Sequence, residues 1–334
     1  MKKLLVIFLF FLAACQNQKS SVEYADVESV VPVKLASADK VAVKEIFYPQ
    51  SLYAFKDNLV CLCINQGADH PLYLFDKSDF SFKRALGDFG RGAGEFFDVN
   101  PYYFERTDSS VFLNTNNYFE TEIMFRDDSI DIVQHRALTN LTLNNLVKLN
   151  DTLYLCNNNV QHEYSLFDVK KHQVIKEFGD FPSCRMKFED NDDRNHFMQR
   201  ELVCNPKELK LMSFYRYLPL IRLYDYNGNL IKEIQLKSLK QKDGSVDDFY
   251  DGEFLSFFVA PMVDDNLVYV LFMNKDEEGF MKDPSVELQV WDWTGKLLRS
   301  YRITEPFSLY TVSGGILYGL NLKEEDNYFF KAGL

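Results

Sequence analysis

The chain has 334 residues, 46% of them hydrophobic and 15% aromatic, which is ample for one large core of β structure. Its formal net charge is −12, and no run of five or more Lys or Arg occurs. A surface that acidic repels phosphate backbones and argues against a nucleic-acid partner.

The first element is Met1-Lys2-Lys3, a short positive stretch, followed by nine unbroken apolar residues from Leu4 to Leu12. Nine residues is about half the ~20 that a spanning helix needs, so residues 1–14 read as a signal peptide and not as a membrane anchor. Leu12-Ala13-Ala14-Cys15 matches the lipobox of bacterial lipoproteins, in which small residues admit the peptidase and the thiol receives the diacylglycerol. Cys15 is therefore expected to carry lipid, with palmitate among its acyl chains. Removing residues 1–14, which hold Lys2, Lys3 and no acid, takes the net charge from −12 to −14. Residues 15–29 read as a lipidated tether, because Gln16 to Ser21 is polar with nothing to bury. By resemblance to enterobacterial sorting, Gln16 in place of Asp points to the outer membrane. The absence of an acidic cluster after Cys15 leaves the periplasmic and outer faces both open.

Five cysteines remain: Cys61, Cys63, Cys156, Cys184 and Cys204. An odd number leaves at least one thiol without an intramolecular partner. Cys61 and Cys63 stand two apart on a strand, hence on one face, and read as small buried hydrophobes. No CxxC and no local His spacing suggests a metal.

From residue 30 onward the sequence repeats. One unit is an apolar strand ending in an aromatic, usually followed by Asp, then a polar turn and another strand. It occurs at 72–86, 122–138, 165–178, 221–234 and 288–301, with aromatics Phe75, Phe125, Phe167, Tyr224 and Trp291. A shorter sixth copy is Tyr328-Phe329-Phe330. Upstream of each lies a turn followed by a β-branched or aromatic run, at 56–65, 108–116, 150–158, 207–215, 264–274 and 313–322. Further strands precede these turns, such as 51–55, 102–106, 145–149, 201–205 and 307–312. Six units of four strands, with no sustained helical period, predict an all-β fold. The architecture is a six-bladed β-propeller over residues 30–334, each blade a four-stranded antiparallel sheet. The sixth copy lacks its fourth strand. Either VVPVKL (30–35) or VAVKEIF (41–47) could supply it, closing the ring with an N-terminal strand and removing an open edge.

The run Leu86-Gly87-Asp88-Phe89-Gly90-Arg91-Gly92-Ala93-Gly94-Glu95-Phe96, with the lipobox and the six loose repeats, resembles the TolB-like six-bladed propeller lipoproteins of Bacteroidetes-type bacteria. Those carry a G-R-G-P-x-E-F-like run here, and Ala93 departs from the Pro. The resemblance spans the mature chain and implies a binding or accessory protein.

Gly90-x-Gly92-x-Gly94 is not followed by a helical pattern, so it lacks the helix N-terminus that nucleotide motifs use. It reads as a glycine-dependent crossing between blades. Arg91 and Glu95 flank it and are the candidate ligand-binding residues, with a mutual ion pair as the alternative. Trp291-Asp292 lacks the companions of a WD40 repeat, and Asp292 or Thr294 is expected to cap a turn. Two acidic stretches, 189–193 and 243–251, lack calcium-loop spacing and read as solvated loops. The histidines His70, His135, His162, His172 and His196 are scattered. No catalytic constellation, metal ligand set or cofactor motif is found. The expected function is a non-catalytic outer-membrane binding propeller whose partner is a glycan, a peptide or an envelope protein. The alternative is a propeller hydrolase or lactonase with a metal in the central channel.

Overall fold

The computed structural model describes residues 21–334, apart from 36–39, 46–47, 65–67, 93–94, 116–118, 127–128, 138–143, 158–160, 238, 241 and 323–326. Residues 1–20 lie outside the described residues, and with them the expected signal peptide, the expected lipidation site Cys15 and the first part of the expected tether.

Six separate sheets follow one another along the chain, each an antiparallel meander running outward from the axis. The inner strands are Pro49–Phe55, Val99–Arg106, Asn144–Lys148, Arg200–Asn205, Ser256–Asp264 and Leu309–Ser313. Each touches the inner strands of the blades before and after it, and that of blade 6 touches that of blade 1. The ring is a six-bladed propeller.

The repeated aromatics explain why the sequence repeats. Each sits on the third strand of its blade and packs against the blade before. Phe75 meets Phe329 of blade 6 at 5.1 Å between ring centres, and Phe125 meets Phe55 of blade 1 at 4.9 Å. Phe167, Tyr224 and Trp291 lie in the cores between blades 2 and 3, 3 and 4, and 4 and 5. Burying such a ring is worth about 1.5–3 kcal/mol, so the repeat is a record of blade stacking.

Among the described residues, three strands precede blade 1: β1 (Ser21–Ala25), β2 (Val33–Lys34) and β3 (Val41–Ala42). β3 pairs antiparallel with Tyr328–Gly333 and completes blade 6, so VAVKEIF closes the ring. VVPVKL does not. Its residues 33–34 form β2, which adds parallel to the outer strand of blade 5. β1 adds parallel to the outer strand of blade 4, with Ser21 opposite Lys232 and Ala25 opposite Leu236. Blades 4 and 5 thus carry five strands, a correction to the uniform four-stranded antiparallel expectation. The segment read as tether already joins a sheet at Ser21, and Val27 is buried in the core between blades 4 and 5.

The expected solvated loops are corrected as well, because both acidic stretches contain short helices. Helix α1 (Asn191–Phe197) begins at Asp190, whose carboxylate accepts from the Asp192 and Asp193 N–H groups at 2.9 Å. Helix α2 (Val246–Tyr250) begins with a capping box between Ser245 and Asp248. Helix α3 (Glu277–Lys282) begins at Asp276, which accepts from Gly279 N–H at 2.8 Å. Acids in these positions satisfy free amides and meet the positive end of the helix dipole.

The meander fixes which face these helices occupy. Turns between first and second strands leave one face, whereas turns between second and third strands and the crossings to the next blade leave the other. The first set is short, as at 56–57, 265–266 and 314–315. The crossings are long where α1 and α2 lie, at 179–199 and 237–255, and α3 sits in a second-to-third turn at 276–285. Phe197 is fully buried among Phe188, Tyr217, Phe249 and Phe254, which pins α1 and α2 together over blade 4. The propeller therefore has a tight-turn face and a helix-bearing loop face.

Candidate functional site

The inner strands enclose a central channel with a cavity of about 310 Å³, to which all six blades contribute. Its wall is mostly apolar, with Tyr53, Val147, Leu202 and Met262, and carries Glu105, Arg106 and Thr311 as polar groups. The lining residues come from the middle and C-terminal parts of the inner strands, so the cavity lies towards the tight-turn face.

Arg106 closes that end. From blade 2 it reaches Asp264 of blade 5, directly opposite in a six-membered ring, at 3.5 Å. The same guanidinium donates to the carbonyls of Ala54 at 3.3 Å and Val263 at 3.5 Å. The second oxygen of Asp264 accepts from Gly314 N–H at 2.8 Å. Arg106 thus ties blades 1, 2 and 5 across the channel.

Glu105, its neighbour in sequence, is half-buried in the wall. Desolvation pushes its carboxyl up to about 7, against the lowering pull of the Lys148 ammonium and backbone N–H. Both adjacent cations are committed elsewhere: Lys148 pairs with Glu120 at 3.0 Å, and Arg106 with Asp264. Glu120 also accepts from the hydroxyls of Tyr103 and Tyr154, each at 3.0 Å.

The inner strand of blade 5 carries a bulge between Val259 and Met262. Ala260 takes a positive φ of 51° there, a conformation held by both neighbouring blades. Its N–H donates to Glu201 of blade 4 at 3.1 Å, and its carbonyl accepts from Tyr310 of blade 6. Burial also raises the Glu201 carboxyl.

Between blades 3 and 4 lies a buried ionic network that sequence reasoning missed. Glu163 is wholly buried and accepts from Arg222 and the Tyr224 hydroxyl at 2.9 Å each, and from the Tyr215 hydroxyl. Arg200 lies 3.6 Å from the same carboxylate, and Arg222 continues to Glu233 at 2.8 Å. Gly179 permits this packing: its φ is +81°, and a Cβ there would stand 3.0 Å from a Glu163 oxygen. The network braces the start of the α1 crossing, since Arg222 also donates to Asp180 O at 2.6 Å.

The glycine-rich crossing from blade 1 to blade 2 lies on the loop face. Ala93 and Gly94 lie outside the described residues. Glu95 folds back onto its own loop and accepts from Gly92 N–H at 2.7 Å, so close to Gly90 that a Cβ there would stand 1.9 Å from it. Arg91 is exposed and lies over the Phe97 ring at 4.4 Å. Glu95 braces the crossing through the backbone, and neither residue lines the channel cavity.

All five cysteines are unpaired thiols. Cys61 and Cys63 are fully buried in the core between blades 6 and 1, as their spacing predicts. Burial pushes the Cys63 thiol up to about 12 and Cys61 up as well. Asp292 caps its turn, accepting from Thr294 N–H at 2.9 Å. Among the described residues, no three His, Cys, Asp or Glu side chains stand together as metal ligands.

Fold and channel define a six-bladed propeller with one elaborated face. The TolB-like 6-blade propeller-like family matches residues 31–314, and the chain belongs to that family. Two solved structures share the fold. A Bacteroides fragilis protein described as exported is 13% identical with a TM-score of 0.53, over 94% of this chain and 98% of that one. A member of the DUF4221 family from Bacteroides vulgatus is 11% identical with a TM-score of 0.55, over 90% of this chain and 98% of that one. No curated protein matches the chain with statistical support.

Proposed function

We propose that the protein is an exported outer-membrane lipoprotein, anchored through lipid on Cys15, whose propeller is a non-catalytic binding module. Its loop face meets a glycan, a peptide or an envelope protein. The signal and lipobox support export and lipidation, and the exported relative with the same fold is consistent with that address.

The observation that carries the reading is the opposition of the two faces. β1 runs parallel to the outer strand Leu230–Leu236, which starts at the tight turn 226–229. Ser21 therefore enters the fold at the tight-turn face. From Cys15 to Ser21 the chain can span at most about 20 Å. A lipid on Cys15 would hold the tight-turn face near the bilayer and turn α1, α2 and α3 outward. The acids in the first turns of those helices would then point away from anionic headgroups.

Two measurements test this. Cys15→Ala should abolish incorporation of labelled palmitate and release the protein from membranes. An unlabelled mutant that still needs detergent for extraction overturns the anchor. In a screen of glycans and envelope peptides, replacing residues 241–253 with a Gly-Ser linker should abolish binding, whereas substitutions at 314–315 should not. The reverse pattern overturns the assignment of the binding face.

A further inference from the structure

Apart from any partner on the loop face, the channel itself has the makings of a small-molecule site. Its cavity of about 310 Å³ has room for roughly ten waters, hence for a ligand of about ten non-hydrogen atoms. That lies at the lower end of ligand-pocket sizes. One wall is the Tyr53 and Phe104 pair, stacked with ring centres 4.0 Å apart and planes 5° from parallel.

Charge selects the ligand class. Arg106 is neutralised by Asp264 and shares its donors with two carbonyls, so it offers little to an anion. Glu105 has no ion-pair partner among the described residues, because Lys148 has gone to Glu120. A divalent metal needs several oxygen ligands, and this wall supplies one carboxylate. An ammonium group needs only that carboxylate and an apolar surface for its body, with aromatic faces adding cation–π attraction. The strained Ala260 bulge, fixed from both sides beside the lining residues Pro261 and Met262, is a second mark of a built site.

We propose that the channel cavity binds a small organic ammonium ion, with its charged group on Glu105 and its apolar body against Tyr53, Phe104, Leu202 and Met262.

The probes are three compounds of similar shape: 2-phenylethylammonium, 2-phenylethanol and 3-phenylpropanoate. Calorimetric titration of the full chain in detergent at pH 7.5 should find the cation bound at least tenfold more tightly than either of the others. Glu105→Gln should remove that preference, and Glu95→Gln on the loop face should keep it. Equal binding of the three probes, preference for the anion, or an unchanged preference in folded Glu105→Gln overturns the proposal. If Glu105→Gln fails to fold, proton linkage in the wild type decides. Glu105 faces Lys148, Glu120, Arg106, Tyr103, Tyr154, Cys204 and Tyr226, and burial pushes the Cys204 thiol to about 12 and the three tyrosines higher still. Binding below pH 7 should then release protons, read as a heat that varies with buffer ionisation enthalpy. A buffer-independent heat overturns the proposal. None of these outcomes depends on Cys15.

Discussion

Glu163→Gln is the sharpest test of how blades 3 and 4 are held together. The substitution keeps volume and most hydrogen-bonding capacity but removes the negative charge from a site with no solvent access. Arg222 would retain Glu233 at 2.8 and 3.0 Å and Asp180 O at 2.6 Å. Arg200, 3% exposed, would retain no carboxylate. Among the described residues it would keep the carbonyls of Met198 and Glu163 and the rings of Tyr164 and Phe181, at 4.8 and 5.4 Å. One uncompensated buried guanidinium costs about 3–5 kcal/mol. Urea unfolding at pH 7 should therefore show a lower midpoint with an unchanged slope. Adding Arg200→Met removes the orphaned charge and should recover at least half of the loss. A cost under about 1 kcal/mol for Glu163→Gln, or strict additivity in the double variant, would refute the reasoning.

Three further outcomes follow from the geometry. Glu105 titrates near 7 when folded against an ordinary 4.5, so the fold favours its neutral form; the stability this gives is present below pH 4.5 and lost as pH rises through 7. Glu105→Gln should thus stabilise the protein by at most about 3 kcal/mol at pH 8.5 and leave it unchanged at pH 4, and a pH-independent difference in urea melts would contradict this. Deleting residues 22–48 should destabilise the domain far more than deleting 16–21, because it strips β3 from blade 6 and buried Val27 and Val43 from their cores; coincident thermal melts would show that these strands are not needed. Arg91→Ala should cost only about 0.5–1 kcal/mol of exposed cation–π contact, and if folded Arg91→Ala and Glu95→Ala bind every partner of the wild type, the crossing is not a ligand site.

The blades were legible because propeller strands are local. Each third strand announces itself by an aromatic that must be buried against the blade before, and each hairpin by its turn. The ends were legible only in part: VAVKEIF and VVPVKL have the same strand chemistry, and only the register of blade 6 with Val41 and Ala42 separates them. The short helices were hidden because five to seven residues cannot show a helical period. Their caps were written in the sequence as Ser245-x-x-Asp248 and as Asp190 ahead of two acids. The channel was illegible for a different reason. Glu105 sits in a strand, YYFER, that alternates like any half-buried strand. Its neighbours Lys148 and Cys204 and the opposite Asp264 arrive from three other blades.

The acids of the loop face serve two purposes, and this bears on any attempt to map a partner there. Asp190, Asp248 and Asp276 hold helix N-termini through side-chain bonds of 2.7 to 2.9 Å, so replacing them loosens the helices as well as removing charge. Asp193 is likewise committed, accepting from the Tyr250 hydroxyl at 2.8 Å and so tying α1 to α2. Asp192 and Asp247 stand in the same first turns without a capping bond. Loss of a cap costs about 1 kcal/mol of local stability, enough to shift two short helices that meet through Phe197, Phe249 and the Asp193–Tyr250 bond. A partner that reads acidity should respond to Asp192→Asn and Asp247→Asn as strongly as to Asp190→Asn. A partner that reads the shape of the helical cap should respond to Asp190 alone. The pattern of loss across these three positions therefore separates electrostatic attraction from shape recognition, which a general reduction of charge on this face could not do.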